Sequence, residues 1–253
     1  VTQPWTIVGV DCATQEERTG LSHGLLDDAG ELTVLRVTLG TAGESAAATI
    51  AGWLEDADRY LIAMDAPLGW PAPLADALQG HRAGDPLPGE SDRLFRRATD
   101  RFVQKQLRKV PLEVGADRIA RTARAALELL SEVRGLSGRE LSMAWEPGAD
   151  SGVLEVYPAA TLLSRGIRAS GYKTQNKNGR EARAEMFERL SEHLVTSTTR
   201  ELVMENDDLL DAMICVLAGA DFARGEALPP EDLEQARREG WIWFRGRGQR
   251  TLF

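Results

Sequence analysis

The chain has 253 residues, a mass of 27.7 kDa and a formal net charge of −9, which suits one sizeable α/β core, or a core with a substantial insertion, and requires no second complete enzyme domain. Its two cysteines, Cys12 and Cys215, lie in apolar surroundings without C-x-x-C spacing, which excludes a disulfide framework and fits a reduced, cytoplasmic setting. No apolar run reaches the ~18 residues needed to span a bilayer and no charged-then-apolar signal opens the chain, so a soluble protein trimmed of its initiating Met is expected, with no membrane partner.

Residues 5–12, WTIVGVDC, form a β-branched run with the character of a buried strand that ends at an aspartate. Residues 20–26 and 32–39 follow as two further strands. They are set off by Asp27-Asp28-Ala29-Gly30 and by residues 40–43, a spacing that predicts a three-stranded antiparallel meander. Residues 44–56 have helical periodicity, with Ile50, Trp53 and Leu54 on one side. They lead into residues 60–65, YLIAMD, a second buried strand ending at an aspartate.

Residues 67–73 and 80–91, rich in Pro and Gly, mark departures from this core. Two helices are expected at about 91–109 and 116–134, and residues 70–150 as a whole read as a helical insertion within a single domain spanning 1–253. Between Arg82 and Arg139 there are 13 Lys and Arg against 8 Asp and Glu, a surplus of 5 in an otherwise acidic chain. Such a segment is either a contact surface for an anionic partner or a solvated helical pair. Residues 153–157, VLEVY, return to a strand that Pro158 terminates. A short helix at 159–165, a polar loop at 171–179 and a helix at 181–193 then precede the helix that begins in ENDDLLDAMICVLA, residues 205–218. Residues 241–244 are expected to add a strand or to dock, and RGRGQR at 245–250 is a basic terminus.

Acids in the first turn of a helix cap it and meet the positive end of its dipole, which accounts for Asn206 or Asp207. Asp211 stands a full turn inside and is followed by an apolar run. Asp208 and Asp211 are three apart, so they project from one face, and two such carboxylates repel unless a cation lies between them. Asp11 and Asp65 end strands at the carboxyl edge, where open α/β sheets place their ligands, although either is also able to start a turn. Oxygen ligands from several elements, without His or Cys, suit Mg²⁺ or Mn²⁺ rather than zinc. Glu155 is a further carboxylate that either faces this cluster or pairs with an Arg. His23, His81 and His193 lack ligand spacing, and no P-loop is present.

The set GVDCA, AMDAPLG, LEVYPAA, a later YK followed by R, and DDLLDAMICVLA resembles the domain-of-unknown-function family 429, regarded as predicted nucleases of the ribonuclease H-like superfamily. The resemblance covers most of the chain. It implies a five-stranded mixed sheet of ribonuclease H type, flanked by helices and carrying the Arg-rich helical insertion. It gives Asp11 the place of the first-strand aspartate and Asp65 that of the fourth-strand acid. Asp208 and Asp211 match the acidic pair on the last core helix, as in RuvC-type resolvases. Those enzymes have Glu where this chain has Asp65, so the reach there is one methylene shorter.

The implied activity is a divalent-metal-dependent nuclease holding two Mg²⁺ or Mn²⁺ ions between Asp11, Asp65, Asp208 and Asp211, with Glu155, Asp207 and Lys173 as accessory groups. The element RRATDR, residues 96–101, resembles the family's Arg/Thr-Asp element. With it, Arg93, Arg96, Arg97 and Arg101 are the candidates for contact with DNA or RNA, unless Asp100 only pairs with a neighbouring Arg. The alternatives are an ATP-dependent phosphotransferase or ATPase of the same superfamily, which normally needs a second domain and Gly-rich phosphate loops, and a non-catalytic nucleic-acid-binding module.

Overall fold

The computed structural model describes residues 3–41, 44–115, 117–196 and 200–246. Part of the turn at 40–43, Ala116 at the head of a predicted helix, and most of the basic terminus at 245–250 lie outside the described residues. The sheet is built from β1 (Trp5–Asp11), β2 (Gly20–Leu26), β3 (Leu32–Leu39), β4 (Arg59–Asp65) and β5 (Ser151–Glu155), in the order β3-β2-β1-β4-β5. The first three strands form the antiparallel meander, and β4 and β5 continue the sheet parallel to β1. This five-stranded mixed sheet, open at both edges and flanked by helices, has the α/β, ribonuclease H-like form expected.

Strand alternation sorts the core into two layers. On β1 and β4, Val8, Val10, Ile62 and Met64 pack with α1 (Ala46–Leu54) and α5 (Asp117–Ser137). Ile7, Leu61 and Ala63 face the other way, onto α9 (Asp207–Ala223). By the same parity Gly9, Asp11 and Asp65 lie on the α9 side. The helix comes unusually close there. A Cβ on Gly9 would stand 2.0 Å from the Ala212 carbonyl oxygen, and one on Gly20 would stand 2.2 Å from that of Asp208. Only glycine at these two positions lets the first half of α9 lie against the sheet backbone.

Between β4 and β5 the chain forms α2 (Ala72–Leu78), α3 (Ser91–Phe95), α4 (Ala98–Leu107) and α5. The single helix expected at 91–109 is therefore two. The Asp100 carboxylate accepts the Arg97 backbone N–H at 2.9 Å, a local cap that starts α4 afresh after an extended Arg96 and Arg97. A buried carboxylate at the end of α10 (Leu233–Glu239) caps two helices at once: Glu239 accepts from Ala72 N–H at 3.0 Å and from Ala98 N–H at 2.7 Å. Residues 241–244 lie beside β5, where Trp243 N–H donates to the Glu155 carbonyl at 2.9 Å. The remaining helices are α6 (Pro158–Ser164), α7 (Lys177–Leu190) and α8 (Arg200–Glu205). No helix among the described residues is long and apolar enough to cross a membrane.

Candidate metal centre

Asp11 and Asp65 are direct register partners at the carboxyl ends of the parallel pair β1 and β4. Asp211, one turn into α9, comes down over them. One carboxylate oxygen from each of the three lies within 4.8 Å of the others. Capping does not explain Asp211, because Asn206 already caps this helix. The Asn206 side-chain oxygen accepts from the N–H groups of Asp208 at 2.7 Å and Leu209 at 3.3 Å.

The electrostatics match like charges gathered out of water. Burial raises the Asp11 carboxyl well above the usual range, and Asp211 and Asp65 push it further the same way. Asp65 is raised to about 7, by burial first and by Asp211 next. Burial also raises Asp211, but two neighbours oppose it. Lys173 Nζ stands 2.5 Å from one of its oxygens, and the Tyr172 hydroxyl donates to the other at 2.8 Å. Burial disfavours the Lys173 ammonium, yet Asp211, Asp65 and Asp11 outweigh that and hold it charged. The loop carrying both residues is fixed from behind by buried Arg183, which donates to the Tyr172 carbonyl at 2.5 Å and to the Met204 carbonyl at 2.7 Å. Three converging carboxylates, two of them poorly compensated, form a hard-oxygen donor set suited to a divalent cation.

The other expected site residues stand elsewhere. Asp208 is half-buried and pairs with Arg18 at 3.7 Å, outside the converging triad. Asp207 is held by the Gln175 side-chain amide. Glu155 is turned to an arginine: its oxygens meet Arg97 at 2.7 and 2.9 Å, and one also accepts the Leu68 N–H at 2.9 Å.

Arg97 corrects the expectation that it contacts a nucleic-acid backbone. It is 1% exposed, and its guanidinium is consumed by Asp100, Glu155 and the Glu239 carbonyl. Thr99 and Asp100 of the same element are buried too, with the Thr99 hydroxyl accepting Ile242 N–H at 2.8 Å. Arg93 is exposed, Arg96 pairs with Asp92 at 3.1 Å and Glu113 at 3.3 Å, and Arg101 donates to the Arg96 carbonyl at 2.6 Å.

A cavity of about 250 Å³ opens beside the triad, lined by Asp11, Asp65, Tyr157 and Lys173 and walled on the far side by Leu112 and Ile119. Tyr157, Tyr172 and Arg18 are site neighbours that sequence reasoning did not single out. Tyr172 was within reach, since it is half of the YK pair; an isolated Arg18 carried no signal.

A family model described as "Protein of unknown function (DUF429)" matches residues 9–235. No curated protein and no solved structure matches the chain.

Proposed function

We propose that this chain, which belongs to the DUF429 family, is a divalent-metal-dependent nuclease that hydrolyses phosphodiester bonds in DNA or RNA. The observation that carries the reading is the convergence of Asp11, Asp65 and Asp211 within 4.8 Å at the carboxyl edge of the sheet. These three residues would hold Mg²⁺ or Mn²⁺; when bound, such an ion supplies a Lewis acid for a phosphoryl oxygen and lowers the pKa of a coordinated water. Asp208, three residues before Asp211 on α9, would serve a second ion only after leaving Arg18.

The chain's own groups give the site its orientation. Tyr172 fixes one oxygen of Asp211 and so sets the plane of its carboxylate. Lys173 lines the adjoining cavity and pairs with Asp211 at 2.5 Å; its ammonium would meet a backbone phosphate there. Leu112 and Ile119 add apolar surface to the lining of the cavity. Arg93 and Arg101, on the helices between β4 and β5, are the basic residues left to track the backbone.

The test is a panel of labelled single-stranded, duplex and branched DNA and RNA incubated with Mn²⁺, with Asp11→Asn run beside the unaltered protein. Cleavage that disappears in a folded Asp11→Asn protein is expected. Cleavage that survives the substitution, or none by the unaltered protein on any substrate, overturns the proposal.

A further inference from the structure

A second cavity, of about 420 Å³, lies at the other end of the sheet. Its walls are the β2–β3 turn at Gly30 and Glu31, the segment after α7 that carries His193, and three arginines: Arg165, Arg224 and Arg245. Leu26 pairs with Trp5 at the start of β1, so this turn is a full strand of 7 residues from Asp11, roughly 20 Å away. The cavity is thus separate from the metal centre, and a ligand bound there is independent of the nuclease reading.

Among the described residues the three arginines share the carboxylates of Asp221 and Glu226. Arg165, 2% exposed, pairs with buried Asp221 at 2.5 Å, and Arg245 pairs with Glu226 at 3.6 Å. Arg224 gives one N–H to the Gly30 carbonyl at 2.7 Å, a neutral acceptor. The Nε atoms of Arg165 and Arg224 are both buried without a hydrogen-bond partner among the described residues, and so are one carboxylate oxygen of Asp221 and one of Glu226. The acids that line the cavity itself, Glu31 and Glu192, are exposed, and Glu192 pairs with Arg189 at 3.5 Å. The arginines also act on one another: burial lowers the Arg224 pKa, and Arg165 and Arg245 lower it further against Asp221 and Glu226. His193, half-buried beside them, is held below its ordinary value by burial first and then by Arg165. Guanidinium charge withdrawn from water without a full set of acceptors is unfavourable, and an oxyanion with several oxygens relieves it through charge-assisted hydrogen bonds.

We propose that this cavity binds a phosphate-type oxyanion, carried by a small phosphorylated molecule or by the terminal phosphate of a nucleic-acid strand, through Arg165, Arg224 and Arg245. Its volume falls in the range of small-ligand sites and exceeds what one phosphate fills, leaving room for the group that bears it.

The chain's three histidines make the test direct. Proton NMR follows their ring signals, with His193 assigned by His193→Gln. Inorganic phosphate, a nucleoside monophosphate, and a short oligonucleotide with and without a 5′-phosphate are each titrated to ~10 mM, enough to detect millimolar affinity. The expected result is a saturable shift of His193 and a rise in its pKa, because a nearby anion favours imidazolium, while His23 and His81 stay still. Arg224→Gln should weaken that binding at least ~10-fold, a loss of about 1.4 kcal/mol. Arg245→Gln, measured alongside, covers the case in which Arg224→Gln fails to fold. A response to the free monophosphate marks a small-molecule ligand; a response only to the 5′-phosphorylated strand marks a strand end. If no probe moves His193, or if the folded variants bind as the unaltered protein does, the proposal is wrong.

Discussion

Replacing Asp65 with Asn removes one charge from the candidate metal centre and keeps the shape of the side chain. In the metal-free protein Asp65 titrates at about 7, raised from an ordinary 3.8 by burial and by Asp211. Between those two values the folded chain retains a proton that the unfolded chain has lost, so stability falls as pH rises through the window and the loss is complete above it. At 1.36 kcal/mol per pH unit the whole effect is about 4 kcal/mol, an upper figure because the side chain is partly exposed. One kcal/mol moves the melting temperature of a protein this size by roughly 2–4 °C, so in EDTA at pH 8 Asp65→Asn should melt up to ~10 °C higher than the unaltered protein. The gap should shrink at pH 5 and close as pH falls toward 4. His23 and His193, both held below their ordinary values, act in the opposite direction below pH 6.5. They do so equally in both proteins, so the difference between the two melts is the quantity to read. Mn²⁺ at a hundred times its dissociation constant should then stabilise the unaltered protein by about 2.7 kcal/mol and the variant by much less. A gap that is the same at pH 5 and pH 8, or an Asp65→Asn protein that is less stable in EDTA at pH 8, refutes the reasoning.

Arg97→Ala should cost about 3–5 kcal/mol in a denaturant melt, because Glu155 and Asp100 would be left buried without their cation. Replacing Arg93 and Arg101 with Ala should instead leave the melt unchanged, weaken nucleic-acid binding and flatten its salt dependence by roughly one unit of slope for each phosphate no longer neutralised. Gly9→Ala should destabilise by ~1–3 kcal/mol or more and weaken Mn²⁺ binding in calorimetry, since the new Cβ would push Ala212, and Asp211 with it, away from β1. Lys173→Met should tighten Mn²⁺ binding in the same measurement, as the ion would no longer compete with an ammonium 2.5 Å from Asp211; weaker binding would make Lys173 an organiser of the site rather than a competitor.

What was legible in the sequence was local. WTIVGVD and YLIAMD are continuous apolar runs, and because side chains alternate, counting back from the final Asp of each shows both acids on the face that also carries Ile7 and Leu61. Asp211 stood out for a similar reason, as a charge followed by the apolar run Ala212 to Ala218. For Asp208 a spacing of three residues gives a shared helix face with Asp211 but not its partner, and the structure pairs it with Arg18, outside the converging triad. Arg97 misled more deeply. Its partners Glu155 and Glu239 are 58 and 142 residues away, and the one signal near it in the chain was Asp100, whose pairing with a neighbouring Arg the sequence left open.

The placement of α9 explains why acids gather here at all. Asn206 caps the helix, so Asp208 and Asp211 are not needed for that purpose. Gly9 and Gly20 let the helix backbone touch the sheet, which forces Asp211 into the company of Asp11 and Asp65. Among the described residues the cations paired with these acids are Lys173 on Asp211 and Arg18 on Asp208. Four carboxylates against two such cations leave a deficit of two positive charges. Burial first, and then the neighbouring carboxylates, raise the pKa values of Asp11 and Asp65, so the metal-free protein takes up protons there. One divalent ion supplies the same two charges without protonation, and it does so at neutral pH, where protons are scarce. A close-packed helix that brings like charges together would therefore favour a bound cation, and the pH dependence of Asp65→Asn measures how strongly the charges repel without one.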